Sequence, residues 1–255
     1  MHRLLVETEL LSSDSPILPK DAANHLKVLR LKDEECVELF DGRGRSRTFF
    51  YRTGRGLSPA GKAFETPRPA ASLTLFACVT KGSRWDWTIE KATELGVTRI
   101  VPVISARTIV RLAPSDYEAK RLRWQRVAED AARQSDAKWL PEIHAPVTFD
   151  ESLSLVRETT CYVGALANPP PKTIGEALAA ASGQGLRLST FANGKQAHLA
   201  TFIGPEGDFT PDELASLLAI ATPVSFGSTI LRAETAAIYA LSVLKACLDA
   251  HVATT

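Results

Sequence analysis

From residue 72 onward, apolar runs of strand length alternate with segments of helix length, and no other feature of the 255-residue sequence restricts its fold as much. A strand buried on both faces reads as a continuous apolar run, so residues 73–79 are expected to form a strand inside a parallel sheet. Residues 87–95 read as a helix that Gly96 ends before a second strand at 97–104. A long charged helix is expected over 116–135, with further strands over 161–166 and 199–203. Thr210-Pro211-Asp212-Glu213 then marks a helix start: Thr210 can cap, Pro211 suits the first helical position, and Glu213 completes a capping box. A short strand at 223–226 and a helix at 234–250 finish the pattern. Alternation of this kind predicts an α/β domain with a mainly parallel sheet.

The first seventy residues read differently. Turn signals are dense there (Ser12-Ser13-Asp14, Asp41-Gly42, Gly44, Gly54, Gly56, Pro59 and Gly61), and the stretches between them are short and alternating, as in Cys36-Val37-Glu38-Leu39-Phe40. Short strands joined by tight turns suggest a small β-barrel, with one helix at 21–29. Glu65-Thr66-Pro67-Arg68-Pro69 reads as a linker, because proline stiffens the chain and denies ladder continuation. The expected division is therefore residues 1–70 and 71–255.

Composition removes several function classes. The 30 basic residues nearly balance the 29 acidic ones, leaving a net charge of +1, so binding to nucleic acid must rest on local patches. No apolar run approaches the roughly 20 residues that span a bilayer. The N-terminus meets Glu7 and Glu9 too early for a signal peptide, and a cytoplasmic protein is expected. Cys36, Cys78, Cys161 and Cys247 are far apart and read as reduced thiols. His2, His25, His144, His198 and His251 lack metal-ligand spacing, so no metal site is expected. Gly-x-Gly-x-x-Gly after a strand, a Walker A sequence and a Gly-x-Ser-x-Gly elbow are all absent.

Two segments stand out, both at the carboxyl ends of expected strands, where α/β sheets bind ligands. In Ile203-Gly204-Pro205-Glu206-Gly207-Asp208-Phe209, a strand ends in a rigid turn whose backbone can approach a ligand; a turn with no ligand is the alternative. Phe226-Gly227-Ser228-Thr229-Ile230-Leu231-Arg232-Ala233-Glu234-Thr235-Ala236 sets a cation and an acid among apolar residues just before the last helix. Glu234 and Thr235 could simply cap that helix. Arg232, alone between apolar neighbours, calls for an anionic partner. A third stretch, 42–56, carries Arg43, Arg45, Arg47, Arg52 and Arg55 with no acid, interleaved with Phe49, Phe50 and Tyr51. That mix suits phosphate contact and base stacking, or else a solvated hairpin with half its aromatics in a core.

Gly204-Pro205-Glu206-Gly207 followed by Ile230-Leu231-Arg232-Ala233-Glu234-Thr235-Ala236 resembles the RsmE family of bacterial small-subunit rRNA uridine-N3 methyltransferases. The resemblance extends upstream through His25-Leu26-Lys27-Val28-Leu29-Arg30, Asp41-Gly42-Arg43-Gly44, Lys81-Gly82, Glu90-Lys91-Ala92-Thr93-Glu94-Leu95-Gly96-Val97, Gln134-Ser135 and Pro141. It departs at Asp208, where the family usually has glycine, and at Ser228-Thr229, where Pro-Arg is common. Ala106, Arg133 and Asp136-Ala137-Lys138 are further departures. Aspartate tolerates a left-handed backbone, so the turn at Asp208 is expected to survive.

The resemblance implies a SPOUT-type α/β domain with a C-terminal trefoil knot, preceded by a small PUA-like β-barrel that binds RNA, and a homodimer. It implies S-adenosylmethionine as cofactor, held by Leu166, Ile203, Gly204, Glu206, Gly207, Phe226, Gly227, Ile230, Leu231, Thr235 and Ala236. The reaction implied is methylation of N3 of a uridine in 16S rRNA, expected at uracil 1498, with the assembled 30S particle as the expected partner. Arg232 is expected to stabilise negative charge on the uracil oxygens, with Glu206 or Glu234 as proton acceptor. Arg3, His25, Arg30, Arg43, Arg45, Lys81 and Arg107 are expected to contact RNA. Methylation at another RNA position, such as a ribose 2′-hydroxyl, and a non-catalytic RNA-binding role in ribosome assembly are the competing readings.

Overall fold

The computed structural model describes residues 1–69, 71–156, 160–166, 169–183 and 197–252. It divides into two compact units, one of Met1–Arg68 with Glu129–Leu140, the other of Pro69–Ala128 with Pro141–Thr255.

The first unit is a five-stranded sheet. Strand β1 (His2–Leu5) runs parallel to β2 (Cys36–Phe40), which pairs antiparallel with β3 (Arg45–Arg52); β4 (Gly56–Pro59) and β5 (Phe64–Glu65) both pair antiparallel with β3. Helix α1 (Lys20–Val28) contributes Leu26 to a core of Leu4, Val6, Leu11, Val37, Leu39, Phe49 and Leu57. Alternation places these residues on one face, as period-2 patterning requires. Glu65, expected in a linker, is instead part of β5, and Thr66 donates its N–H to the Gly44 carbonyl at 2.7 Å. The segment 129–140 joins this unit through a buried ion cluster. Arg3, on the same register position as Glu38, donates to it at 2.6 Å and to the carbonyls of Ala132 and Ala137, while Lys138 donates to both Glu38 oxygens at 2.7 and 2.9 Å.

The second unit is a parallel seven-stranded sheet in the order β12-β10-β11-β6-β7-β8, with β9 also on β7. The strands are β6 (Ala71–Cys78), β7 (Arg99–Ile104), β8 (Glu142–Ile143), β9 (Val147–Thr148), β10 (Thr160–Gly164), β11 (Ala197–Ile203) and β12 (Thr222–Val224). Side chains alternate between two apolar layers. Leu73, Leu75, Ala77 and Val79 pack with α2 (Ser83–Glu94), α3 (Tyr117–Ser135), α5 (Ile174–Gly183) and α7 (Ala233–Val252). Phe76 and Cys78 face the other way, toward α4 (Phe149–Ser154) and α6 (Pro211–Leu218). The centre of the sheet is thus covered on both faces, which explains why β6 carries apolar residues on both of its faces.

Most sequence boundaries shift by a few residues. Helix α2 begins at Ser83 rather than 87, since Gly82, with φ +69, makes the turn that starts it. The start of α6 is as expected: Thr210 accepts from the Glu213 N–H and Glu213 reaches back to the Thr210 N–H at 2.9 Å. No helix among the described residues is long and apolar enough to cross a membrane.

Candidate active site

Three neighbouring parallel strands, β12, β10 and β11, end on one edge of the sheet, and the segments that leave them enclose a cleft of about 290 Å³. The second wall is the loop 229–233 that enters α7, with Ala236 from its first turn. Depth comes from two places where a side chain would crowd its neighbours. A side-chain carbon at Gly164, the last residue of β10, would overlap the Phe226 ring. One at Gly204 would lie 3.2 Å from the Asp208 carboxylate and 3.3 Å from the Phe209 ring. The backbone of both strands therefore borders the cleft directly, in the manner glycine permits.

Of the expected cofactor contacts, Leu166, Ile203, Gly204, Glu206, Phe226, Gly227, Ile230, Leu231 and Ala236 line the cleft. Leu166 and Ile230 are 67% and 82% exposed, large apolar side chains on its rim that no described residue covers. Gly207 and Thr235 do not line it. Thr235 lies on an adjoining face of α7, beside Trp87, Ile238, Tyr239 and Val243, because one step along a helix turns a side chain by about 100° from its neighbour. Gly207 faces the Arg107 side chain instead.

The turn between β11 and α6 is held from several sides. Asp208 takes φ +60, its N–H donates to the Pro205 carbonyl at 2.9 Å, and its Oδ1 accepts from the Phe209 N–H at 2.8 Å. Aspartate thus supplies both the left-handed backbone and a local acceptor where the family usually has glycine. Arg107, expected on RNA, donates to the Gly207 carbonyl at 2.9 Å and to that of Phe209 at 3.4 Å, so its guanidinium braces the turn. The Ala106 N–H donates to Glu213 at 2.8 Å.

The three expected catalytic groups occupy different environments. Arg232 is exposed, lines the cleft, and its guanidinium has no partner among the described residues. Glu206 also lines it, with Oε1 3.2 Å from Arg84 at the start of α2. Glu234 is buried, is not part of the cleft lining, and its Oε2 has no hydrogen-bond partner among the described residues. Among the described residues no α7 amide donates to the side chain of Glu234 or Thr235, so neither acts as the cap that was the simpler expectation. Arg84 was missed by sequence reasoning, since it lies 122 positions from its partner and no local pattern joins them.

Among the expected RNA contacts, Arg3 is corrected outright: it is 7% exposed, bound to Glu38 and two carbonyls, and stacked 4.1 Å from the Phe40 ring centre. Arg45 pairs with Glu65 at 3.0 Å. Arg47 is consumed by Asp14 and the carbonyls of Leu11, Ser13 and Gly61, and Arg52 by Glu34. Phe49 is in the core. Most of the hairpin's arginines are therefore paired with acids elsewhere in the first unit, with Arg43 and Arg55 left exposed; His25, Arg30 and Lys81 are exposed as well.

Comparison with known proteins adds the following. The model of the RNA methyltransferase domain matches residues 66–245, and that of the RNA methyltransferase PUA domain residues 18–51. A protein of Synechocystis sp. named ribosomal RNA small subunit methyltransferase E is 32% identical over 97% of this chain and 78% of its own. A crystal structure of the protein of that name from Neisseria gonorrhoeae, bound to S-adenosylmethionine, superposes with a TM-score of 0.78 at 27% identity, covering 96% of this chain and 97% of that one. A methyltransferase from Legionella pneumophila, also with bound cofactor, gives 0.73 at 26% identity over 90% of each chain.

Proposed function

The chain belongs to the RsmE family of RNA methyltransferases, and from that premise we propose that it methylates N3 of a uridine in 16S rRNA, at uracil 1498, with S-adenosylmethionine as methyl donor. The observation that carries this reading is the cleft. Its floor is glycine backbone at two strand ends, its rim is apolar, and it holds one arginine with no side-chain partner among the described residues. When bound, the cofactor supplies a methyl group activated on a sulfonium sulfur. Gly164 and Gly204 would hold it through main-chain groups, and Leu166, Ile230 and Leu231 would cover the apolar adenine face.

N3 of uracil carries a proton, and as that proton leaves, negative charge spreads onto the flanking oxygens. Arg232, exposed on the cleft wall and without a side-chain partner among the described residues, is positioned to stabilise that charge. Of the two candidate acceptors, Glu206 borders the cleft and Glu234 does not, so we assign the proton to Glu206. Arg84 engages Oε1, which leaves Oε2 to receive it. Ser228-Thr229 in place of Pro-Arg removes one family cation from this rim.

We read residues 1–70 as the PUA-like RNA-binding barrel and 71–255 as the methyl-transfer domain, its C-terminal segment threaded as the family's trefoil knot. Arg43, Arg55, His25 and Arg30 are the exposed groups through which the first would meet RNA. An apolar strip on neighbouring helices α2 and α7, with Trp87 and Tyr239 exposed and Ile238 and Val243 half-buried beside them, supports a homodimer. The substrate we favour is the assembled 30S particle, which places the protein in the cytoplasm.

The test is methyl transfer from labelled S-adenosylmethionine to small subunits from cells lacking the modification, with the product nucleoside identified by mass spectrometry. The expected product is 3-methyluridine. A 2′-O-methyl product would replace the reaction, and absence of both transfer and cofactor binding would favour the assembly-factor role. Arg232→Ala is expected to lower turnover far more than cofactor affinity; equal losses in both would remove Arg232 from the charge-stabilising role.

A further inference from the structure

A second cleft opens on the same sheet edge, where β6 and β7 end. It is lined by Thr80, Lys81 and Trp85 at the start of α2, by Arg111 after β7, and by Lys120, Arg123 and Trp124 of α3. Four cations border it against one carboxylate, Asp86, which is already held by both nitrogens of Arg123. Lys81, Arg111 and Lys120 have no ion-pair partner among the described residues. Helix α2 points its N-terminus here, and Gly82 at its cap position offers no side-chain acceptor to the free amides. A helix N-terminus so placed favours an anion.

Two buried donors strengthen that preference. Thr80 is 3% exposed and Trp85 2%, and neither the Thr80 hydroxyl nor the Trp85 indole N–H has a hydrogen-bond partner among the described residues. An unmet buried donor costs stability unless a ligand or water meets it. Both belong to the lining of a cleft whose fixed charge is positive, so the matching ligand is an anion with several acceptor oxygens.

The geometry points to a phosphodiester of the RNA substrate, and we propose that this cleft grips the backbone of the strand whose base enters the first cleft. The connection leaving β6 runs to α2 on one face of the sheet, and that leaving β11 runs to α6 on the other, so a crevice separates them. Arg84 and Glu206 reach across it, which makes the two clefts neighbours on one edge. This inference rests on the RNA methyltransferase reading and assigns that reading a phosphate-binding subsite.

The full-length protein, labelled with nitrogen-15 at its four tryptophans, reports on the subsite directly through the indole N–H signals, and Trp85→Phe identifies the one that matters. A short oligouridylate is expected to shift the Trp85 signal, and Arg111→Gln with Lys120→Gln to abolish that shift while cofactor binding stays unchanged. In small-subunit RNA binding, the double variant should lower the slope of log affinity against log salt by about 0.7 for one lost phosphate contact. No oligouridylate shift, or a shift that survives the double variant, overturns the proposal. A response to inorganic phosphate alone makes this a small-anion site and overturns it too. A normal shift in a protein that never methylates small subunits would sink the enzymatic reading while leaving the subsite standing.

Discussion

Gly164→Ala is the most informative single change at the cofactor cleft. The added methyl would sit 2.9 Å from Cζ and 3.4 Å from Cδ2 of Phe226, and closer still to Cε2. If the ring stays, the overpacking costs about 1–3 kcal/mol of stability. If it swings aside, the cost falls to the lost edge-on contact with Tyr239, whose ring centre is 5.8 Å away, worth about 0.5–1.5 kcal/mol. Phe226 is half-buried and borders the cleft, so the second route is open, and the displaced ring then occupies space the cofactor needs. The unfolding midpoint should therefore change little, while the Kd for S-adenosylmethionine rises at least tenfold, the equivalent of about 1.4 kcal/mol. Calorimetric titration and thermal unfolding on the same preparation separate the two effects. Gly175→Ala is the control: nothing lies within 4 Å of its new carbon, and alanine in the helix should stabilise by about 0.5–1 kcal/mol with cofactor affinity unaltered. A Gly164→Ala protein with the parental Kd would refute the reasoning.

Three further outcomes are expected. Glu38→Ala leaves the buried Arg3 with Asp136 at 3.1 Å as its remaining carboxylate, so urea unfolding should show a loss near the lower end of the roughly 3–5 kcal/mol range for broken buried pairs. Burial pushes the Glu38 carboxyl up, but hydrogen bonds from Lys138, Arg3 and Ser46 outweigh it and hold it below its ordinary value. Its stabilisation is thus complete above the ordinary carboxyl pKa and is lost as pH falls through the lower folded value, an acid limb that the alanine variant should lack. Arg107→Ala removes the brace on the Gly207 and Phe209 carbonyls, and hydrogen exchange in 204–209 should quicken while the β6 amides keep their protection. Burial raises the thiols of Cys78 to about 11 and Cys161 to about 12, so iodoacetamide at pH 8 should modify Cys36 first and these two only after unfolding.

How far the sequence could be read depended on the range of the interaction. The Thr210 capping box spans four residues and was legible in full; the box at Thr148 and Glu151 that starts α4 has the same form and was overlooked because only six helical residues follow it. Helix α5 is rich in alanine and has a weak apolar stripe, so periodicity gave it no outline. The cleft segments 203–209 and 226–236 were legible because glycine and proline mark strand ends by themselves. What lay beyond reach were the partners: Arg3 reads as a surface cation until the register with Glu38, 35 positions on, is known. The motif suggests Thr235 as a cofactor contact, whereas the helix turns it onto an adjoining face.

Those same long-range partners decide the division of labour between the charges of the sheet edge. Five arginines in the hairpin 42–56 suggested an RNA surface, yet Arg47 and Arg52 are tied to acids and Arg45 to Glu65. A guanidinium already satisfied by a carboxylate must break that pair to take a phosphate, so such residues add little to binding. Among the described residues that line the two clefts, Arg232 in the first and Lys81, Arg111 and Lys120 in the second have no ion-pair partner. A chain with a net charge of +1 cannot attract RNA by its overall field, and free cations concentrated where strands end place the attraction beside the reacting base. It follows that neutralising Arg43 and Arg55 together should weaken RNA binding less than neutralising Arg111 and Lys120, although both pairs remove the same charge. Equal losses would mean that net charge alone draws the RNA.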